Sequence, residues 1–207
     1  MLVLKKSMFT SVVFIALALG CAAKPQIPFD WASVQPGTQV TLRGNTVKLL
    51  GTAVSVGKPL PPVELTDSAT MKGVDLAKEK GSVLLLSIVP SLDTPVCEAQ
   101  THYLGEKGNG LPTVVKRIVI SRDTPFAQKR FAREAKLTDL QYLSDYKQGD
   151  FGRSMGLLTE GSMLLARSVI IADKQGIVRY IQVVPEMSHL PDMDKAFQVA
   201  AGLTKEG

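Results

Sequence analysis

The chain has 207 residues, of which 45% are hydrophobic and 21% are charged, and its formal net charge is +5. This balance is typical of a globular protein with one domain of ordinary size, and it excludes an intrinsically disordered chain. No dense basic run follows the N-terminal pair Lys5-Lys6, so we do not expect nucleic acid as a partner.

The N-terminus has the pattern of an export signal. After Lys5-Lys6, the mostly apolar stretch from Met8 to Leu19 has the length of a signal h-region and is shorter than the ~20 residues of a spanning helix. It ends in Ala18-Leu19-Gly20-Cys21, which resembles a bacterial lipoprotein signal, where the cysteine is acylated and becomes the new N-terminus. The resemblance predicts a signal peptide over residues 1–20 and lipid attachment at Cys21. The protein would then be anchored to a membrane of the bacterial cell envelope and face the periplasm or the exterior. An ordinary secretory signal with an incidental cysteine is the alternative.

Residues 21–37 predict a lipid-anchored tether, and residues 38–207 predict the folded domain. The stretch after Cys21 is rich in Pro, Gln, Ala and Ser and has little periodicity. Phe29 and Trp31 interrupt it, and two roles stay open for them: packing on the domain or contact with the membrane surface.

The domain begins with a predicted β-hairpin. Gln39–Leu42 and Thr46–Leu49 are two short strand patterns around the turn Arg43-Gly44-Asn45. After an extended, proline-rich connector, Val63–Thr66 predicts an edge strand.

The central motif is an apolar run followed by a turn and a helix start. Val83–Ile88 predicts a buried strand that ends at Pro90. Thr94 and Pro95 then favour a helix, because threonine is a good N-cap and proline at the first helical position gives up no needed N–H group. Cys97 falls in the first turn, where the helix dipole favours a thiolate. A lone cysteine is also commonly buried as a small hydrophobic residue, and the spacing alone leaves both roles open.

Strands and helices alternate through the rest of the chain. The predicted elements are strand Arg117–Ser121, a helix from Pro125 to about Ala135, strand Gln141–Leu143, a short helical piece near Phe151–Met155, strand Ser168–Ala172, the turn Asp173-Lys174-Gln175-Gly176, strand Ile177–Val184 and helix Met193–Gly202. This order indicates an α/β protein, and the last hairpin makes its central sheet mixed.

The string Pro90-Ser91-Leu92-Asp93-Thr94-Pro95-Val96-Cys97-Glu98-Ala99-Gln100 resembles the active-site loop of the thiol peroxidase subfamily of the peroxiredoxins. The resemblance continues through Ser121–Gln128, Arg130-Phe131 and Leu165–Ile171, and it spans about Gln39 to Leu203. It implies a thioredoxin-like fold, with a central mixed sheet flanked by helices and an N-terminal β-hairpin. It also implies an enzyme that reduces hydrogen peroxide and organic hydroperoxides, and a homodimer.

The resemblance also implies a role for each site residue. Cys97 is the nucleophile, the Thr94 hydroxyl faces the sulfur and the peroxide, and Pro90 shields the sulfur from water and overoxidation. Arg167 matches the active-site arginine of the family and supplies positive charge. Three further residues are candidates for support, with surface roles as the alternative: Glu98, Gln100 and Arg122.

The sequence departs from many thiol peroxidases at one position. They carry a resolving cysteine directly after the phenylalanine that corresponds to Phe131, but this chain has Ala132 there, and no cysteine follows Cys97. We therefore expect a one-cysteine cycle, in which an external thiol, for instance that of a thioredoxin-like protein, resolves the oxidised Cys97.

Two other functions compete with the peroxidase. A membrane-anchored thiol–disulfide oxidoreductase would share the fold, but it normally needs Cys-x-x-Cys, and Thr94 stands where the first cysteine would be. A non-enzymatic binding lipoprotein would have an unreactive Cys97. We expect no cofactor and no metal, because His102 and His189 have no partner at ligand spacing.

Overall fold

The computed structural model describes residues 26–205. The predicted signal peptide and the predicted lipid attachment site, Cys21, lie outside this range. Within it, no helix combines the length and the apolar character needed to cross a membrane.

A seven-stranded mixed sheet forms the centre of the fold. Its strands, in order across the sheet, are β11 (Val178–Val183), β10 (Ser168–Ala172), β6 (Val83–Ile88), β7 (Val115–Ser121), β8 (Gln141–Ser144), β4 (Glu64–Asp67) and β5 (Gly73–Asp75). Strands β6, β7 and β8 are parallel, and the other pairs are antiparallel. All residues of β6 and β10 are buried, as expected for strands that are covered on both faces.

The two faces of the sheet carry two separate cores. On one face, Leu85 and Val119 pack with side chains from three helices: α1 (Pro95–Gly108), α2 (Pro125–Glu134) and α4 (Met193–Leu203). On the other face, Leu84 and Leu86 pack with the short helix α3 (Asp150–Met155) and with the N-terminal hairpin. Successive side chains of a strand point to opposite faces, so one apolar run supplies both cores. The predicted thioredoxin-like α/β fold is confirmed.

The N-terminal hairpin consists of β2 (Gln39–Leu42) and β3 (Asn45–Leu50). The sequence predicted a turn over Arg43-Gly44-Asn45, but Asn45 pairs with Leu42, and the turn is the two residues Arg43 and Gly44. Both residues have positive φ angles, 51° and 79°, as two-residue hairpin turns favour, because these angles match the twist of the two strands. A short strand, β9 (Leu158–Thr159), pairs with β3 as the third strand of this small sheet.

The folded part of the chain starts before the predicted boundary at residue 38. Strand β1 (Phe29–Asp30) pairs in parallel with β12 (Leu190–Pro191), and Val34 N donates to Val183 O on β11 at 3.0 Å. Much of the predicted tether is therefore attached to the domain, and it covers part of the edge of β11. Strand β1 has only two residues, which are too few to show the period-2 pattern of a strand in the sequence.

The prediction that the strand near Val63–Thr66 lies at the edge of the sheet is wrong. Strand β4 lies between β8 and β5, so it is an inner strand, and β5 is the edge. Strand β5, which has three residues and only one aliphatic side chain, carries no local sequence signal, and neither does the short 3-10 helix Leu76–Lys78 that follows it.

Candidate active site

Cys97 is the third residue of α1 and is 0% exposed. The helix begins at Pro95, as predicted, and Thr94 occupies the N-cap position with extended backbone angles. Strand β6 leads directly into this turn, so the buried sheet holds the start of the helix in place. The first helical turn has free N–H groups, which favour negative charge near the sulfur.

The Asp123 carboxylate anchors the loop between β6 and α1. It accepts hydrogen bonds from Ser91 Oγ at 2.7 Å, from Leu92 N at 2.8 Å and from Ser121 Oγ at 2.7 Å. Asp123 follows β7, which runs parallel to β6, so the loops after both strands meet at the same edge of the sheet. Charged hydrogen bonds of this kind fix the loop more firmly than neutral ones.

Sheet pairing brings Arg167 to Cys97. Arg167 immediately precedes β10, whose first residue, Ser168, pairs with Ile88 at the end of β6. Arg167 Nη2 lies 3.3 Å from Cys97 Sγ, and the arginine is only 2% exposed. A buried cation at this distance stabilises negative charge on the sulfur.

Two further contacts orient the Arg167 guanidinium. Nη1 donates to Gln100 Oε1 at 2.7 Å, and Nε donates to the Met187 carbonyl oxygen at 2.8 Å. Gln100 lies one turn after Cys97 on the same face of α1, and its Nε2 donates to Ser87 Oγ at 2.8 Å. Each buried polar group in this set has a partner, as burial requires.

Of the three supporting candidates, only Gln100 belongs to this network. The Glu98 side chain is exposed, and its Oε1 lies 3.9 Å from His102 Nε2. Arg122 donates to the Asp145 carbonyl oxygen at 2.5 Å. Both contacts are structural: Glu98 has the surface role that the sequence left open, whereas the Arg122 side chain is only 16% exposed and supports the segment at Asp145.

Thr94 and Pro90 both line a cleft next to Arg167. Among the described residues, the Thr94 hydroxyl forms no capping bond to Cys97 and no bond to its sulfur, but donates to Ser91 O at 2.9 Å. The Thr94 hydroxyl therefore stabilises the loop in this structure. This differs from the orientation toward the sulfur and the peroxide that the resemblance implied. Pro90 is buried two residues after the end of β6.

The cleft has a volume of about 440 Å³ and a mostly apolar lining. Its walls come from the N-terminal hairpin, the loop after β9, the start of α1 and the loop before β12. The apolar side chains that line it are Leu42, Val47, Pro90, Pro95, Val96, Leu164 and Met187. The sequence predicted the hairpin but not its place in this wall, which depends on how distant segments pack.

Glu186 ties the hairpin wall to the loop that holds Arg167. Its carboxylate accepts from Arg43 N at 2.9 Å, Gly44 N at 3.1 Å and Thr41 Oγ1 at 2.9 Å, and also from Ser188 N and Ser188 Oγ. The next residue is Met187, whose carbonyl oxygen accepts from Arg167. Partial burial would raise the pKa of Glu186, but the hydrogen bonds, first those from Ser188 and then those from Arg43 and Gly44, lower it to about 2. Sequence reasoning missed Glu186, because an isolated glutamate carries no local signal.

The described residues contain no group of three or more His, Cys, Asp or Glu side chains that could hold a metal ion. The site combines the buried Cys97 thiol with a guanidinium, that of Arg167, which also lines the apolar cleft.

Known proteins share this arrangement of sequence and fold. The profile of the Redoxin family matches residues 55–197. The chain is 38% identical over 161 residues to a thiol peroxidase of Halalkalibacterium halodurans, which covers 78% of this chain and 96% of that protein. It is 37% identical over 168 residues to a thiol peroxidase of Bacillus subtilis, which covers 81% of this chain and 99% of that protein. A crystal structure of a peroxiredoxin-like protein from Aquifex aeolicus superposes with a TM-score of 0.76 at 35% identity and covers 82% of this chain and 99% of that one.

Replacement of Glu186 tests whether its carboxylate stabilises the contact between the hairpin and the loop that contains Met187. Glu186→Gln should lower the free energy of unfolding at pH 7 by about 1–2 kcal/mol, because the charged acceptor of several hydrogen bonds is lost and solvent partly screens it. The folded-state pKa lies below the ordinary value of 4.5, so the carboxylate contributes its full stability above about pH 4.5 and loses it as the pH falls toward 2. Urea unfolding at pH 7 and pH 3 should show the gap between wild type and variant shrink at the lower pH. Glu134→Gln, which removes an exposed carboxylate of α2, is the control. If the difference in unfolding free energy between wild type and Glu186→Gln is the same at both pH values, the Glu186 carboxylate does not stabilise this contact.

Proposed function

Because this chain belongs to the redoxin family and is a thiol-dependent peroxidase of the peroxiredoxin type, we propose that Cys97 attacks the peroxide and that Arg167 stabilises the charge of the reaction. The observation that carries this assignment is the 3.3 Å contact between Arg167 Nη2 and Cys97 Sγ beside the cleft. The position of the sulfur in the first turn of α1 adds backbone N–H groups to the same charge stabilisation.

The reaction is a two-electron oxidation of the sulfur. The Cys97 thiolate attacks the terminal oxygen of the hydroperoxide, so an S–O bond forms as the O–O bond breaks. The leaving alkoxide, or hydroxide in the case of hydrogen peroxide, takes a proton and departs as an alcohol or water. Cys97 is left as a sulfenic acid. Arg167 and the first-turn N–H groups contribute where negative charge moves from sulfur to oxygen.

The cleft supports organic hydroperoxides as substrates in addition to hydrogen peroxide. The alkyl group of an organic hydroperoxide can pack against the apolar lining of the cleft. This removes apolar surface from water, which is favourable by roughly 25 cal/mol per Å². Leu42 and Val47 of the hairpin, together with Leu164, are the side chains such a chain would contact. Hydrogen peroxide has no apolar part and gains nothing from this surface.

The competing functions have less support. A thiol–disulfide oxidoreductase needs a second thiol near Cys97, and Cys97 is the only cysteine in residues 26–205. A binding lipoprotein would have no need for a buried guanidinium against the sulfur. The thiol peroxidase relatives do not favour either alternative.

Substitutions at the site should separate the roles of its residues. Cys97→Ser should abolish peroxide consumption, and Arg167→Ala should reduce kcat/KM by about 10- to 1,000-fold, as expected for the loss of a group that stabilises the transition state. Thr94→Val should also reduce kcat/KM, because the Thr94 hydroxyl holds the loop before Cys97 through Ser91 O. Consumption of hydrogen peroxide and cumene hydroperoxide, with dithiothreitol as reductant, measures this. Arg133→Ala, which removes an exposed arginine of α2, should keep the wild-type rate. Full turnover by Cys97→Ser would disprove the assignment.

We propose that the catalytic cycle uses one cysteine. An external thiol attacks the sulfenic sulfur, a mixed disulfide forms and water leaves; a second thiol then takes over the disulfide bond and releases the Cys97 thiolate. A dithiol protein of the thioredoxin type is a suitable reductant. Because Cys97 is fully buried, such a thiol reaches it only after the loop or the first turn of α1 shifts.

Oxidation in the absence of a reductant tests this cycle. Without a local resolving thiol, peroxide treatment of the mature protein should give first sulfenic and then sulfinic Cys97 in mass spectra. Ala132 stands where many thiol peroxidases carry the resolving cysteine, so Ala132→Cys provides a matched variant that should form an intramolecular disulfide with Cys97 and resist overoxidation. A stable Cys21–Cys97 disulfide in the wild-type protein would show that the cycle uses two cysteines.

We also propose that the protein is a lipoprotein of the bacterial cell envelope, anchored through Cys21. The support is the sequence pattern that ends in Gly20-Cys21. The homodimer implied by the family resemblance stays a prediction. The N-terminal segment around Val34 covers part of the edge of β11 and leaves less of that edge free for pairing with a second copy.

Expression with the intact signal in a bacterium tests the anchor. The wild-type protein should fractionate with membranes, and Cys21→Ala should release it or leave it unprocessed, because a lipid chain adds about 0.8 kcal/mol of membrane affinity per buried methylene. Labelling with a fatty-acid analogue provides an independent readout. A free, alkylatable Cys21 in the mature wild-type protein would contradict lipidation.

A further inference from the structure

A row of four aromatic rings ends in two exposed side chains. Phe197 of α4 stacks on Tyr103 of α1 with ring centroids 6.0 Å apart, Tyr103 meets Phe29 edge-on at 6.2 Å, and Phe29 lies 6.4 Å from Trp31. Trp31 is 73% exposed and Phe29 is 40% exposed. We call Phe29 and Trp31 the aromatic patch. The reaction at Cys97 does not use it.

The patch is held in place by the domain. Strand β1, which contains Phe29, pairs with β12, and the buried Gln182 donates its Nε2 to Asp30 O at 2.7 Å and to Ala32 O at 3.1 Å. The backbone on both sides of Trp31 is therefore fixed while the ring stays in solvent. An indole that is rigidly presented and unburied is typical of a contact surface.

The chain before the patch indicates what covers it. Cys21, the proposed lipid attachment site, lies ten residues before Trp31, and an extended chain spans at most ~3.3–3.6 Å per residue. A lipid at Cys21 thus keeps the patch within roughly 35 Å of the bilayer. Tryptophan and other aromatic side chains favour the boundary between headgroups and acyl chains.

We propose that Phe29 and Trp31 insert into the headgroup region of the bilayer in which Cys21 is anchored, as a second contact beside the lipid. This rests on the lipid anchor of the proposed function. Two carboxylates lie along the row of rings: Asp30, between Phe29 and Trp31 in the chain, contacts His189 Nδ1 at 3.6 Å, and Asp194 accepts from Tyr103 Oη at 2.8 Å. Their charge favours a zwitterionic surface over an anionic one.

This contact would orient the enzyme. Met187 and Ser188, which line the cleft, lie shortly before β12, the strand that pairs with β1. Insertion at the patch therefore holds the cleft near the membrane surface, whereas a lipid on a free tether would let the domain rotate.

Trp31 is the only tryptophan in the chain, so its fluorescence reports on the patch directly. The mature chain carries Cys21→Ser and an N-terminal histidine tag, and it is tethered to phosphatidylcholine vesicles through nickel-chelating lipid. The tag replaces the lipid, so the result does not depend on acylation of Cys21. The emission maximum should shift to the blue, and phosphatidylcholine brominated near the top of its acyl chains should quench it.

A second protein provides the matched control. Trp31→Phe combined with Phe126→Trp moves the tryptophan to an equally exposed position, 72%, on α2, which packs on β8. Its emission should change little on the same vesicles. In a variant with Phe29→Ser the quenching of Trp31 should decrease, and peroxide consumption in solution shows that each variant is folded. Unchanged Trp31 emission on the vesicles, or equal quenching of the control, would overturn the proposal and leave a protein as the partner of the patch.

Discussion

The contact between the Arg167 guanidinium and the Cys97 sulfur is the interaction on which the rest of the site depends. A charge that is 2% exposed is costly unless its hydrogen-bonding groups are paired. Gln100 and the Met187 carbonyl oxygen supply those partners, and the sulfur accepts from the remaining nitrogen. The same contacts that make the buried arginine tolerable also aim its charge at the sulfur, so stability and chemistry share one arrangement.

Two carboxylates extend this arrangement to the walls of the cleft. Asp123 holds the loop that precedes Cys97, and Glu186 holds the hairpin and the segment that contains Met187. Each accepts several hydrogen bonds from backbone or hydroxyl groups, which lets a loop keep one conformation without an apolar core of its own. Neither carboxylate touches the sulfur, and both act through the elements they join.

The resemblance to the thiol peroxidases covers the domain, but two features set this chain apart. Ala132 stands where many thiol peroxidases have a resolving cysteine, and in the proposed cycle an external thiol resolves the oxidised sulfur. The N-terminal segment, with β1 and the aromatic patch, lies before the residues that match the family profile, which start at residue 55. The peroxidase reaction belongs to the family, whereas the proposed one-cysteine cycle and the proposed membrane anchor rest on Ala132 and Cys21 of this chain.

The sequence by itself determined the elements whose signals are local. The apolar run Val83–Ile88 and the Thr94-Pro95 helix start placed Cys97 in the first turn of α1, as the structure has it, because burial and capping act between near neighbours. Arg167 came only from the family resemblance, and Glu186 and Asp123 were missed. Arg167 and Cys97 are 70 residues apart in the chain, and Glu186 and Arg43 are 143 apart. Only the tertiary structure decided these contacts, because the antiparallel pairing of β10 with β6 and the packing of the hairpin bring together side chains that no local pattern connects.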